Sequence, residues 1–179
     1  MNTVTRARYR AKQFFWALFA AGTDDNFALA TEILGHNPTA LQLFRQMNNS
    51  DRRHAIAVAK TLLAEGYTDP QLLQAALLHD VAKSLGVSIF HRVLVVLLER
   101  CCPLWLNRLA AAPLDCAGWR RPFVVSFRHP QIGAAWAKKA GCSPMVVQLI
   151  ARHQQKPATH PVSTMEKLHA ALYAADNQN

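Results

Sequence analysis

Asp69-Pro70-Gln71-Leu72-Leu73-Gln74-Ala75-Ala76-Leu77-Leu78-His79-Asp80-Val81-Ala82-Lys83 is the stretch on which the fold of this chain turns. Its composition predicts one helix. Thr68 and Gln71 fit a capping box, and Pro70 suits the first helical position, where a missing N–H is no loss. Leu and Ala fill the interior, and Gly86 is a plausible stop. The polar pair falls in an odd place. His79 continues the apolar stripe of Leu72, Ala75 and Ala76, and Asp80 stands about 100° further round. An imidazole and a carboxylate at the end of a buried stripe need hydrogen bonds, a counter-charge or a metal.

Composition sets the frame. The chain has 179 residues, 51% of them apolar, which is enough for one globular unit with a substantial core. Its net charge of +9 favours anionic ligands without choosing among nucleotides, nucleic acid and lipid headgroups. Lys and Arg are scattered, with no aromatic interleaving, so nucleic acid is not signalled. The four cysteines, Cys101, Cys102, Cys116 and Cys142, make no disulfide framework; free, mostly buried thiols in a reducing, cytoplasmic setting are expected. Arg6, Arg8, Arg10 and Lys12 precede the apolar run Phe14 to Ala21, which reads as a basic amphipathic helix rather than a signal peptide. No apolar run approaches transmembrane length.

Strand patterns are nearly absent, so the chain is expected to be all-α. Helical patterns run from Asp25 to Leu34, closed by Gly35, and from Pro38 to Met47, with Leu41, Leu43, Phe44 and Met47 inward. Asn48 to Asp51 is a turn and cap cluster that starts a helix carrying His54, with Ala57, Val58, Thr61 and Leu62 on the same stripe up to Gly66. Residues 86–123 hold two apolar helices split by Pro103. A structural cap over the core is expected there, with a lid, a homodimer surface or a shallow membrane contact as alternatives. Pro130 suits the first turn of a helix to Ala140, placing His129 at its entrance. Ser143-Pro144 caps a helix with Val146, Leu149, Ile150 and His153 on one face. Ser163-Thr164-Met165-Glu166 is a capping box, and its helix aligns Leu168, Leu172, Ala175 and Asp176. Residues 1–50 are expected to pack as N-terminal helices on a main domain of residues 51–179.

His54, His79, Asp80, His129, His153 and Asp176 thus occupy inward or helix-entrance positions on separate segments. Each alone has a plain structural explanation. Together they are too many polar groups for one core without partners, and imidazoles with carboxylates are the ligand set of a first-row divalent metal. Periodicity does not say whether these segments converge.

His54, then His79-Asp80 within Ala-Ala-Leu-Leu-His-Asp-Val-Ala-Lys, then Asp176 within Ala-Ala-Asp, resembles the H…HD…D signature of the HD-domain superfamily of metal-dependent phosphohydrolases. His129-Pro130 before Gly133-Ala134, and His153 after Val146-x-x-Leu149-Ile150, resemble the extra histidines of the subgroup that binds two metals. Two positions depart from the pattern: Ala82 replaces the usual Gly before Lys83, and Gln154 stands where many members have a second His. The resemblance implies a compact helical HD domain. In it His54, His79, Asp80 and Asp176 hold one metal, and Asp80 bridges to a second held by His129 and His153. The expected activity is hydrolysis of a phosphate ester, a nucleotide or related phosphomonoester or phosphodiester, with Asp80 and Lys83 as catalytic residues. Lys83, Arg128, Arg92 and Arg53 are candidates for phosphate contact. The alternative is a metal- or nucleotide-binding regulatory module without turnover. Fe, Mn, Ni, Co or Zn suits imidazole-rich ligation better than Mg. His169, one helical repeat before Asp176, is expected to support the site rather than ligate, and His36, His91 and His160 carry no such expectation.

Overall fold

The structure is a computed structural model that describes residues 25–86, 89–113 and 118–179. The basic segment expected to form a first helix lies outside these residues. The architecture is all-α: α1 (Asp25–Leu34), α2 (Pro38–Gln46), α3 (Asn49–Ala64), α4 (Pro70–Leu78), α5 (Ile89–Cys101), α6 (Pro103–Ala110), α7 (Arg121–Lys139), α8 (Pro144–Arg152) and α9 (Thr164–Gln178), with 3₁₀ turns at Val81–Leu85 and Gly118–Arg120. There is no strand among the described residues.

Caps set most helix starts. The side chains of Asn37, Asn48 and Ser143 accept from the backbone N–H groups of Ala40, Asp51 and Val146, and the Ser163–Glu166 capping box closes at both ends. Each satisfies donors that a helix leaves orphaned. α4 also starts as its residues dictate, although the cap is Asp69 and not Thr68: its carboxylate accepts from the N–H groups of both Gln71 and Leu72.

α4 is the hub. Leu72, Leu73, Ala75, Ala76, Leu77 and Leu78 are all buried, because α3 and α8 flank the helix and α1, α2 and α9 also touch it. One core cluster runs from Ala30 through Phe44, Leu62, Leu77 and Leu149 to Leu172 and Ala175. α7 lies across α8 and the Val81–Leu85 turn, and α5 and α6 pack on α7. Leu97, Leu104, Trp105, Trp119 and Phe127 remain exposed on this outer layer.

Three expectations change. The stretch 69–83 is not one helix: α4 stops at Leu78, His79 is its C-cap, and Asp80 caps a 3₁₀ turn that ends at Gly86 with φ +104°. Pro130 is not in a first turn but inside α7, so His129 sits mid-helix. Cys101 and Cys102 are exposed and Cys142 is half-buried; all are free thiols, and Cys116 lies outside the described residues. No described helix is long and apolar enough to cross a membrane.

Gly133 sets how closely α7 approaches the 79–81 turn. A Cβ there would lie 3.4 Å from both Ile150 Cγ2 and Val81 Cγ1, and 3.7 Å from the His79 carbonyl oxygen. A methyl group just fits this gap and a branched side chain does not. Gly133→Ala is therefore expected to change stability by less than about 1 kcal/mol, its helix propensity offsetting a tight contact. Gly133→Val overpacks the seam and loses about 1–3 kcal/mol in urea denaturation.

Candidate metal centre

The polar residues expected at inward or helix-entrance positions meet at one point. His79 is carried by the end of α4, Asp80 by the cap of the 3₁₀ turn, His54 by α3, His129 by α7, His153 by the end of α8 and Asp176 by α9. His79, Asp80, His129 and His153 are buried to within 2%. His54, Asp176 and Lys83 keep 27%, 23% and 22% of their side chains exposed, and so mark the mouth.

Asp80 divides the cluster. Its Oδ1 lies 3.2 Å from His129 Nε2 and 3.6 Å from His153 Nε2. Its Oδ2 lies 2.5 Å from Lys83 Nζ, 3.5 Å from His79 Nε2 and 4.0 Å from His54 Nε2. Asp176 Oδ1 completes the second half, 2.9 Å from His54 Nε2 and 3.5 Å from His79 Nε2. The contact with Lys83 follows from the break in the helix. Residues i and i+3 eclipse in a 3₁₀ turn, which stacks Lys83 over Asp80.

The three buried imidazoles of the cluster are turned the same way. His79 Nδ1 is 2.9 Å from the Ala76 carbonyl oxygen, His129 Nδ1 is 2.8 Å from that of Ser126, and His153 Nδ1 is 2.8 Å from that of Ile150. In each case the partner is three residues back. A carbonyl only accepts, so Nδ1 carries the hydrogen in all three rings, and in a neutral ring Nε2 then presents a lone pair to the centre. His129 Nε2 and His153 Nε2 face each other at 3.2 Å. His79 Nε2 and Asp80 Oδ1 are buried without a well-formed hydrogen bond. Lone pairs aimed at one another and at carboxylates are unfavourable unless a cation lies among them.

The spacing suits such a cation. Donors held about 2.0–2.2 Å from one ion at 90–109° are about 2.8–3.6 Å apart. Most of the separations above, 2.9 to 3.6 Å, fall in this window; the 4.0 Å between His54 and Asp80 exceeds it. The groups His54–His79–Asp80, His79–His153–Asp176 and Asp80–His129–His153 each bring their ligand atoms within 4.8 Å of one another. The donor set, imidazoles and carboxylates in a buried site, fits a first-row divalent ion.

Without a metal, a proton supplies the positive charge. Burial pushes the His79 imidazole down, but the Asp80 and Asp176 carboxylates outweigh it and raise its pKa from 6.5 to about 10. Burial pushes Asp80 up, yet Lys83 and His79, with the histidines on its Oδ1, hold it well below the usual carboxylate range. Asp176 is likewise held low against burial by His79 and His54. His153 goes the other way: burial dominates, so its ring stays neutral and able to ligate.

The remaining expected residues separate. His169 is buried and its Nε2 lies 2.8 Å from the Arg152 carbonyl oxygen, tying α9 to the last turn of α8 just before His153. Gln154 is exposed, and so is Arg128. Arg53 is half-buried next to His54, and the side chain of Arg92 lies outside the described residues. What residue patterns did not reveal is the role of the backbone, since the Ala76, Ser126 and Ile150 carbonyls orient three of the imidazoles that could hold an ion.

No family model matches the chain, and no match was found among curated proteins or solved structures. What the structure itself shows is an all-α fold with a His/Asp cluster able to hold a metal ion, which is compatible with the HD signature.

The ionised cluster makes stability depend on pH in the metal-free protein. His79 binds its proton more tightly folded than unfolded, so its contribution is complete below 6.5 and lost as pH rises towards about 10. Asp80 and Asp176 are depressed, so theirs is complete above about 4 and lost as pH falls below it. Neutral His153 loses its contribution as pH falls below 6.5, so the urea midpoint of chelator-treated protein is expected to be highest near pH 6.5 and to fall on both sides, more steeply below about pH 4. His79→Gln should flatten the alkaline limb. A parent profile flat from pH 6.5 to about 10 would show that His79 is not the charged partner.

Proposed function

We propose that this chain is a metal-dependent phosphohydrolase of the HD-domain type, acting on a phosphate ester. The observation that carries the reading is the convergence of His54, His79, His129 and His153 on Asp80 and Asp176, with the lone pairs of the buried rings directed inwards. His54, His79, Asp80 and Asp176 would hold one divalent ion and Asp80, His129 and His153 a second. Fe, Mn, Ni, Co and Zn fit these donors better than Mg. When bound, such ions polarise a phosphoryl oxygen and lower the pKa of a water.

The chain's own residues support this division of labour. Asp80 and Asp176 are held well below the ordinary carboxylate range, so neither is a useful proton acceptor near neutral pH. Their task is to hold and orient positive charge. Lys83 is different. Its ammonium sits on Asp80 Oδ2 yet is part-exposed at the mouth, where it can pair with an incoming phosphate oxygen and offset charge that develops there. Arg53, beside His54, is the nearest further cation in sequence. The chain's net charge of +9 favours an anionic substrate.

Metal content of the purified protein, followed by a panel of phosphomonoesters, nucleotides and cyclic dinucleotides assayed with the retained metal, tests the proposal. Asp80→Ala and His79→Ala are expected to lose bound metal and hydrolysis together. Lys83→Met should keep the metal and lose about 10²–10³-fold in turnover. Stoichiometric metal with no turnover on any member of the panel would instead assign the chain as a metal- or nucleotide-binding regulatory module.

A further inference from the structure

A proline inside a helix removes one hydrogen bond and crowds the carbonyl four residues back, so it needs a reason. Pro130 lies within the 19-residue helix α7, next to a metal-site histidine. In an unbroken helix the N–H of residue 130 would bond to the Ser126 carbonyl. That carbonyl is the one 2.8 Å from His129 Nδ1. The same geometry governs the other two rings. His79 and His153 also reach the carbonyl three residues back, at 2.9 and 2.8 Å. The helical competitor for such a carbonyl is always the N–H of the residue just after the histidine. For His79 and His153 the competitor is absent because α4 ends at Leu78 and α8 ends at Arg152, which makes both histidines C-caps. His129 has no helix end to use, since α7 continues to Lys139. The proline does the same work from within.

We infer that Pro130 is a positioning residue of the metal centre: by withholding an N–H from the Ser126 carbonyl it reserves that acceptor for His129 Nδ1–H and keeps the His129 Nε2 lone pair aimed at Asp80 and His153. The inference rests on the metal-site reading for its purpose, but not for its geometry. A residue with an N–H at 130 completes the α7 ladder and competes for Ser126. His129 is then free to rotate or to move its hydrogen to Nε2, where it faces His153 Nε2 at 3.2 Å. The helix gains and the ligand set loses. A proline kept for structure alone would show the reverse.

The test uses the full chain and the variants Pro130→Ala and Pro130→Gly. Both restore the N–H, but they differ in helix propensity. Three readouts are needed: the urea midpoint of the chelator-treated protein, the His129 tautomer from long-range nitrogen–proton NMR of the metal-free protein, and Mn or Zn binding by equilibrium dialysis. Pro130→Ala is expected to unfold at the same or higher urea concentration than the parent. In both variants the His129 resonances should shift from the Nδ1–H pattern towards a mixture. The weaker-held ion should bind at least ten-fold less tightly, by a similar factor in Ala and Gly. An unchanged tautomer in either variant overturns the inference, as does metal loss that tracks stability, with Gly worse than Ala. If the parent binds no metal, the metal-site reading fails, while the tautomer shift still decides what Pro130 does.

Discussion

The structure depends on one constraint: Asp80 is buried, charged and surrounded. A carboxylate removed from water is stable only if its lone pairs are met by cations or donors. Here Lys83 takes one oxygen at 2.5 Å and imidazoles crowd the other. To bring them there, the chain gives up regular helix. α4 ends one residue before His79, and a 3₁₀ turn follows so that Lys83 stacks on Asp80. These breaks are local departures from the best helical sequence, and they cluster where buried polar groups need partners.

The second organising element is the backbone. Three imidazoles from three helices present the same face because each Nδ1 is tied to a carbonyl three residues back. Such ties fix both ring orientation and tautomer, and in metal centres they are the usual means of aiming Nε2. A helix has few spare carbonyls, and those it has lie in its last turn. Two of the histidines therefore close their helices, and the third is followed by the residue that cannot donate. His169 extends the scheme by anchoring the end of α8 through the Arg152 carbonyl. Stability and site geometry thus use the same hydrogen bonds.

α4 makes the convergence possible. Its six buried apolar residues place it among α3, α8, α1, α2 and α9, so whatever stands at its C-terminus stands in the middle of the molecule. Gly133 then lets α7 close on the 79–81 turn without a side chain between them. The exposed apolar residues of α5, α6 and α7 belong to the outer layer.

Much of this was legible in residue order. The all-α class follows from scarce β-branched residues and strong caps. The bounds Asp25–Leu34 and the helix start at Pro144 follow from Asp, Gly, Ser and Pro at their ends, and inward stripes and helix entrances flagged His54, His79, Asp80, His129, His153 and Asp176. These are properties of a few adjacent residues, and local geometry is enough to read them. Tertiary structure decided what those stripes face. Helical periodicity tells which side of a helix is buried but not which side of another helix meets it, so convergence within 4.8 Å could not be read from order. Nor could the break at Leu78 or the continuation of α7 through Pro130. Helix propensity favoured the opposite in both places. What overrode it was the need of Asp80 and three imidazoles for partners, and those partners exist only once six elements are packed together.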